Sequence, residues 1–212
     1  MHDKIQITES LSMRKESVHL LKLHQKNIQS LLCKSELAQT ELMEVLISLH
    51  IVLEIGINTF FRQIFLSPKN RTIFDQTKII ENLDNISFGD KVTIFIYSSE
   101  FNFRDNEIET AKNSHKIIGE IKHFSAMRNK LLHGHGVIEF FEEEGSRKSA
   151  LSKELNPNKL QQQIKSFTFI LNGLAFYFKH YIQGGYTEAG KQQYIDSYLD
   201  TKFLSTTNFI SE

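Results

Sequence analysis

The 212-residue chain carries 25 Lys and Arg against 25 Asp and Glu, so no overall field draws it onto long nucleic acid and any contact with RNA must be local. A single cysteine, Cys33, excludes an internal disulfide and any multi-cysteine metal site, while the length suits one domain that buries a sizeable core without covalent staples. No N-terminal apolar run resembles a signal peptide, and the most apolar segment, 167–178, contains Asn172 and ends at Lys179 and His180, well short of the about 20 residues that span a bilayer; the expected compartment is the cytosol, with no membrane partner.

From the N-terminus, Leu11, Val18, Leu21, Ile28 and Leu32 form an apolar stripe among Lys, Gln, His and Ser, which predicts an amphipathic helix over 8–35. A second, densely apolar helix runs from about Thr40 through Phe65, where Ser67-Pro68 stops it because proline disfavours helical geometry in the preceding residue. It should be the central helix of the fold. Ile47, His50, Glu54, Ile57 and Phe61 share one of its faces, which places an acidic residue, Glu54, on a buried stripe. Glu54 is then either a carboxylate at the rim or the partner of a cation in the core. Two shorter segments follow, 71–83 and 89–99. The first has helical spacing. The second, with Val92-Thr93-Ile94-Phe95-Ile96-Tyr97, is rich in β-formers, yet Val92, Phe95 and Ile96 also fit a helix. A lone strand would have nothing to pair with, so a helix is predicted there.

The next helix is expected over about 106–133. Ile117, Ile121, Phe124 and Leu131 fall at i, i+4, i+7 and i+14, one buried stripe, and Arg128 at i+11 lies on it. A guanidinium keeps its proton and is costly to bury alone, so Arg128 needs a carboxylate or a cleft open to solvent. Glu54 is the favoured partner, since two core-facing opposite charges relieve each other's desolvation, and a bidentate pair would fix the direction of the guanidinium. Gly134 can take the left-handed conformation that closes a helix, which puts His133 in the final turn at a rim. Asn129 and His133, four apart, share a face; Arg128 and His133, five apart, are separated by about 140° around the axis. The residue types alone also allow a plain structural reading, in which Arg128 is half of an ion pair and His133 and Gly134 cap the helix.

Beyond Gly136 the character changes: Phe140-Phe141, the acidic run Glu142 to Glu144, then Gly145-Ser146-Arg147-Lys148. This predicts a charged loop over 137–156, open to folding as a short hairpin turning at Gly145, and acting as a connection or a lid. From Asn158, Ile164, Phe167, Ile170, Leu171, Leu174, Phe178 and Tyr181 mark a last long helix closed by Gly184-Gly185. The remaining tail adds a short helix around 192–199, carrying Tyr194 and Tyr198, and then frays. The expected architecture is all-α, an up-and-down bundle of about five to six helices, forming a single domain over 1–212. Its parts are an N-terminal helix 8–35, a core 35–185 and a C-terminal tail 186–212.

Several chemistries lack their motifs: no Gly-rich loop follows a strand, and neither HExxH nor GxSxG occurs. His115, His123, His133 and His135 lie within 21 residues, but no carboxylate stands at ligand spacing beside His133 and His135, so no metal is expected. His115 and His123 read as surface or satisfied positions.

The string RNKLLHG resembles the signature of the HEPN superfamily, an Arg, usually followed by a polar residue, then a His a short gap later at the end of a bundle helix. Arg128, Asn129 and His133 fill the Arg, polar and His positions, with four residues between Arg and His. Glu54 resembles the acidic residue that members often carry in an early bundle helix against the motif Arg, and SFGDK before an apolar run is similar to helical HEPN-like families. The resemblance spans about residues 35–185.

It implies a helical domain that pairs as a homodimer, sets two Arg–His motifs across a cleft and in many members cuts RNA without a metal or cofactor, here as a toxin or defence effector restrained by an antitoxin or other regulatory protein. In-line attack by the ribose 2′-OH needs a proton acceptor, a donor for the leaving 5′-oxygen and positive charge on the pentacovalent phosphate. His133 and Arg128 from two subunits would supply these, with Asn129 orienting His133 or the phosphate, and histidine suits the task because its ordinary pKa is near neutrality. Glu54 and His135 would play supporting roles. The same resemblance leaves open a degenerate scaffold or nucleotide-binding module, or the binding half of a toxin–antitoxin pair. In HEPN toxins neutralised by a minimal nucleotidyltransferase, a Tyr two residues past the motif His accepts AMP; His135 occupies that position here.

Overall fold

The computed structural model describes residues 2–65, 76–100, 113–133, 140–143, 146–149, 155–180 and 187–205. Helix α1 (His2–Leu32) and helix α2 (Gln39–Phe65) are joined by a short connection. Asn27 bonds Glu44 and Lys34 bonds Glu41, a pairing that makes the two helices antiparallel. Glu41 also accepts the Ala38 N–H at 2.9 Å, which satisfies one of the open donors at the start of α2. As expected, α2 is central. Val45, Leu49, Val52, Leu53, Ile57 and Phe60 are buried along it, and it packs against α1, against the helices described below and against the C-terminal turns.

Helix α3 (Gln76–Asn85) overlaps the first of the two short segments and runs two residues past it, and α4 (Phe88–Glu100) covers the second. The β-forming composition of α4 does not prevail. Ser87 caps the helix, its Oγ accepting the Asp90 N–H at 3.2 Å and donating to the Asp90 carboxylate at 2.6 Å, and Val92, Phe95, Ile96 and Ser99 are buried on one face. A cap plus an apolar face at three- and four-residue spacing outweighs weak β-propensity, which itself mostly records packing.

Helix α5 (Ser114–His133) carries the expected buried stripe, with Ile117, Ile121, Phe124 and Leu131 joined by Ile118 and Met127; its anticipated earlier turns, 106–112, lie outside the described residues, as does Gly134. Strands β1 (Phe140–Glu143) and β2 (Ser146–Ser149) pair antiparallel, Phe140 opposite Ser149 and Glu143 opposite Ser146, as a hairpin would; the expected turn at Gly145 lies outside the described residues. Helix α6 (Pro157–His180) starts with proline in its first turn, and Asn156 accepts the Lys159 N–H at 3.0 Å. The expected stop at Gly184-Gly185 lies outside the described residues.

The short helix expected near 192–199 is present, begins earlier and packs into the core, as do residues 203 and 204 after it; residues 206–212 lie outside the described residues. Thr187 caps α7 (Glu188–Tyr194), which runs into one π turn (Ile195–Leu199) and then a 3₁₀ turn (Lys202–Leu204). The Tyr194 ring stacks on Phe178 with centroids 4.2 Å apart, and its hydroxyl donates to the Gly56 carbonyl at 2.6 Å. Tyr198, Leu199, Phe203 and Leu204 are buried, and the Tyr198 hydroxyl lies 3.1 Å from Ser17 Oγ on α1. The buried core thus extends from Leu21 on α1 to Leu204. Among the described residues no helix is long and apolar enough to cross a membrane.

Candidate functional site

A polar line interrupts the apolar surface of α2. His50, Glu54, Asn58 and Arg62 follow at four-residue spacing and therefore stand one above another along one side of the helix. Each meets a partner from another helix. His50 Nε2 lies 3.1 Å from Ser125 Oγ on α5, and Glu54 Oε1 accepts from Arg128 Nη2 of α5 at 2.8 Å. Asn58 Oδ1 accepts from Lys91 Nζ of α4 at 2.9 Å, and Arg62 Nη2 reaches both carboxylate oxygens of Asp84 on α3 at 2.9 and 3.1 Å.

The Glu54–Arg128 pair expected from the sequence is therefore present, with two differences. The pair sits at a rim, since the side chains of Arg128 and Glu54 are 26% and 28% exposed. Arg128 stands five residues from the end of α5, and its long side chain carries the charge out to water while the stem stays against the bundle. The contact is also not bidentate. Nη2 goes to Glu54 and Nη1 to Asn129 Oδ1 at 3.1 Å, so the guanidinium bridges a carboxylate on α2 and an amide on its own helix. Asn129 and His133 are exposed, with His133 in the last turn of α5. Arg128 is turned toward α2, and with about 140° between them around the axis the two motif side chains leave α5 in different directions. His135 lies outside the described residues.

His50 is the site residue that the sequence reading placed on the α2 face without assigning a role. It is fully buried. Burial, aided by the positive charge of Arg128, pushes its imidazole down to about 4, so it is neutral near pH 7. Nδ1 stands 3.8 Å from Glu54 Oε2 and makes no hydrogen bond among the described residues. A carboxylate on that side favours the tautomer with the proton on Nδ1, which leaves Nε2 to accept from the Ser125 hydroxyl. Phe88 packs against the ring at 5.2 Å between centroids. The polar repeat 50, 54, 58, 62 was the available signal, visible as four hydrogen-bonding side chains at one helical spacing inside an apolar helix.

Lys91 was also missed. It is only 7% exposed, and burial lowers its ammonium pKa, while Asp84 and Glu54 act to raise it and Arg62 to lower it. His115 and His123 are exposed, His123 within 3.3 Å of Gln163 Nε2, as surface positions should be. Among the described residues no three His, Cys, Asp or Glu side chains gather as a metal centre would need.

No family model, curated protein or solved structure matches the chain.

The chemistry of the site therefore rests on its own residues: a guanidinium fixed on two sides yet open to water, a neutral amide beside it, and an exposed imidazole one turn further on. The guanidinium and amide offer positive charge and hydrogen-bond donors to a phosphate, and the imidazole, which leaves the helix in another direction, is a proton-transfer group.

Proposed function

We propose that the protein is a metal-independent endoribonuclease of HEPN type, with Arg128 as the phosphate clamp, His133 as the proton-transfer group and Asn129 as the orienting amide. The observation that carries this reading is the contact from Arg128 Nη2 to Glu54 Oε1 at 2.8 Å, which holds a partly exposed cation in one direction at the end of the helix that presents His133. A guanidinium preorganised in this way stabilises the charge that builds on a pentacovalent phosphate without having to reorganise during reaction. One α5 separates Arg128 and His133 too widely to close on a single phosphate, so the reading requires a second copy of the chain across a two-fold axis. The 2′-OH gives its proton to one His133, its oxygen bonds phosphorus, and the P–O5′ bond breaks as the other His133 protonates the leaving oxygen. The same reading extends to a toxin or defence role under the control of an antitoxin or regulatory protein.

The test is cleavage of single-stranded RNA by the wild type, Arg128→Ala and His133→Ala, each examined by light scattering for its oligomeric state. The wild type is expected to be dimeric, to cut in EDTA and to leave a 2′,3′-cyclic phosphate and a 5′-hydroxyl, whereas 2′-deoxyribose at the scissile position blocks cleavage. Both variants should be inactive, and if the wild type is toxic on expression both should relieve it. Variants that fold, dimerise and cleave like the wild type would remove Arg128 and His133 from the reaction. A second reading, a non-catalytic HEPN-like module that binds RNA, nucleotide or protein, is favoured by the fact that Arg128 already spends two nitrogens within the chain; it expects a wild type that cuts nothing.

A further inference from the structure

The polar line on α2 carries three cations, Arg62, Lys91 and Arg128, and two carboxylates, Asp84 and Glu54. Arg62 is paired with Asp84 and Arg128 with Glu54. Lys91 is left over. Its ammonium has three donors, of which one reaches Asn58 Oδ1, and among the described residues it forms no ion pair. A cation that is 7% exposed with a neutral amide as its hydrogen-bond partner is costly to hold, and nothing in the packing of α4 requires a lysine at that position when Val92, Phe95 and Ile96 supply its buried face. The line it joins reaches the surface, because Asn58 is half-buried and Glu54 and Arg128 are partly exposed.

We infer that Lys91 binds a phosphate of the RNA strand adjoining the one held by Arg128, and this rests on the ribonuclease reading above. Glu54 and Asn58, which anchor Arg128 and Lys91, are one turn or roughly 6 Å apart along α2, and anchors so spaced suit successive phosphates of one strand. Glu54 and Asp84 do not repel the strand as free charges would, since each is engaged by an arginine. The unused donors of the ammonium then find acceptors on the ligand. Lys91 thereby sets where along the strand the scissile phosphate falls.

The experiment compares the wild type with Lys91→Met and Lys91→Arg. Three readouts are used: melting temperature with and without inorganic phosphate, the Kd of a single-stranded oligonucleotide made uncleavable by 2′-deoxyribose, and the dependence of that Kd on salt. Phosphate is expected to stabilise the wild type and Lys91→Arg more than Lys91→Met, in which Arg128 alone remains to bind it. The Met variant should bind the oligonucleotide about tenfold more weakly, with a log–log salt slope smaller by about 0.7. Its melting temperature without phosphate should be unchanged or raised, because a buried cation has been removed. If Lys91→Met responds to phosphate and binds the strand as the wild type does, or if the wild type shows neither response, the inference fails. A lower melting temperature with unaltered binding would make Lys91 structural. Loss of stability and binding together is decided by Lys91→Arg, whose restored binding supports the site and whose failure to bind overturns it. The two readings separate cleanly: a wild type that cuts RNA with an indifferent Lys91 loses only this inference, whereas a phosphate response that is larger in chains with a cation at 91, in a protein that cuts nothing, loses only the ribonuclease.

Discussion

Glu54 holds Arg128 through one oxygen at a rim, so water shares the cost of separating them and the pair is worth less than a fully buried one. Glu54→Ala should cost about 1–2 kcal/mol in urea unfolding, and an unchanged midpoint would show that the contact contributes nothing to the fold. His50 gives a sharper signature. Its folded pKa is depressed to about 4 against an ordinary 6.5, so the unfolded chain binds more protons in between; the contribution is complete above about pH 6.5 and is lost as the pH falls toward 4. Between pH 7 and pH 5 the wild type should lose about 2 kcal/mol by this route, and His50→Leu should lack that part of the slope even if it is less stable at pH 7. Equal slopes in the two proteins would mean that His50 is not held neutral by burial. The Glu54–Arg128 contact was legible because each charge falls on an otherwise apolar stripe, and a buried charge has few ways to be satisfied. The pairings of His50 with Ser125 and Asn58 with Lys91 were not, because small polar side chains on a helix are equally at home at a rim. Only the rotation of α2 against α4 and α5 decides which neighbour each one meets.

At the scale of the elements, α4 shows where composition misleads. Ile94 and Tyr97, two of its β-formers, are exposed, so they weigh little in the outcome, while Ser87 and Asp90 close the first turn. The Ser-x-x-Asp spacing before an apolar run was a readable start signal for a helix. The crossing of α5 and α6 was not readable, since it depends on a residue that lacks a side chain. Ile117 lies so close over Gly173 that a Cβ there would collide with the tip of its side chain. In an isolated helix, Gly→Ala favours helix formation by about 1 kcal/mol; here the overlap should reverse the sign, and Gly173→Ala is expected to destabilise by about 1 kcal/mol. Adding Ile117→Val removes the colliding methyl and should recover part of the loss in thermal melts. A single variant more stable than the wild type would show that α5 and α6 are not held at this distance.

Over the whole molecule, the sequence supports the helical class and the central place of α2 but underestimates the C-terminal segment, because Tyr194 and Tyr198 are sparse apolar signals among Lys, Gln, Asp and Ser. Their rings are the missing information: Phe60 meets Phe95, Phe178 and Tyr194 in one aromatic cluster. Deleting residues 187–212 should therefore uncover Phe60 and Phe178 and yield a chain that binds hydrophobic dyes and melts without a cooperative transition; a sharp, near-wild-type melt would show that the segment is dispensable. The bond between Ser17 and Tyr198 spans 181 positions of the chain, and this has a bearing on synthesis. Contacts so distant in sequence carry a large loop-closure cost and form late. The part of α2 around Gly56 and Phe60 stays incompletely covered until residues 188–204 have left the ribosome, so the polypeptide completes its fold only after translation has passed them, and the interval in which that part of the aromatic core is exposed to chaperones is set by the time taken to synthesise the chain from α3 to α7.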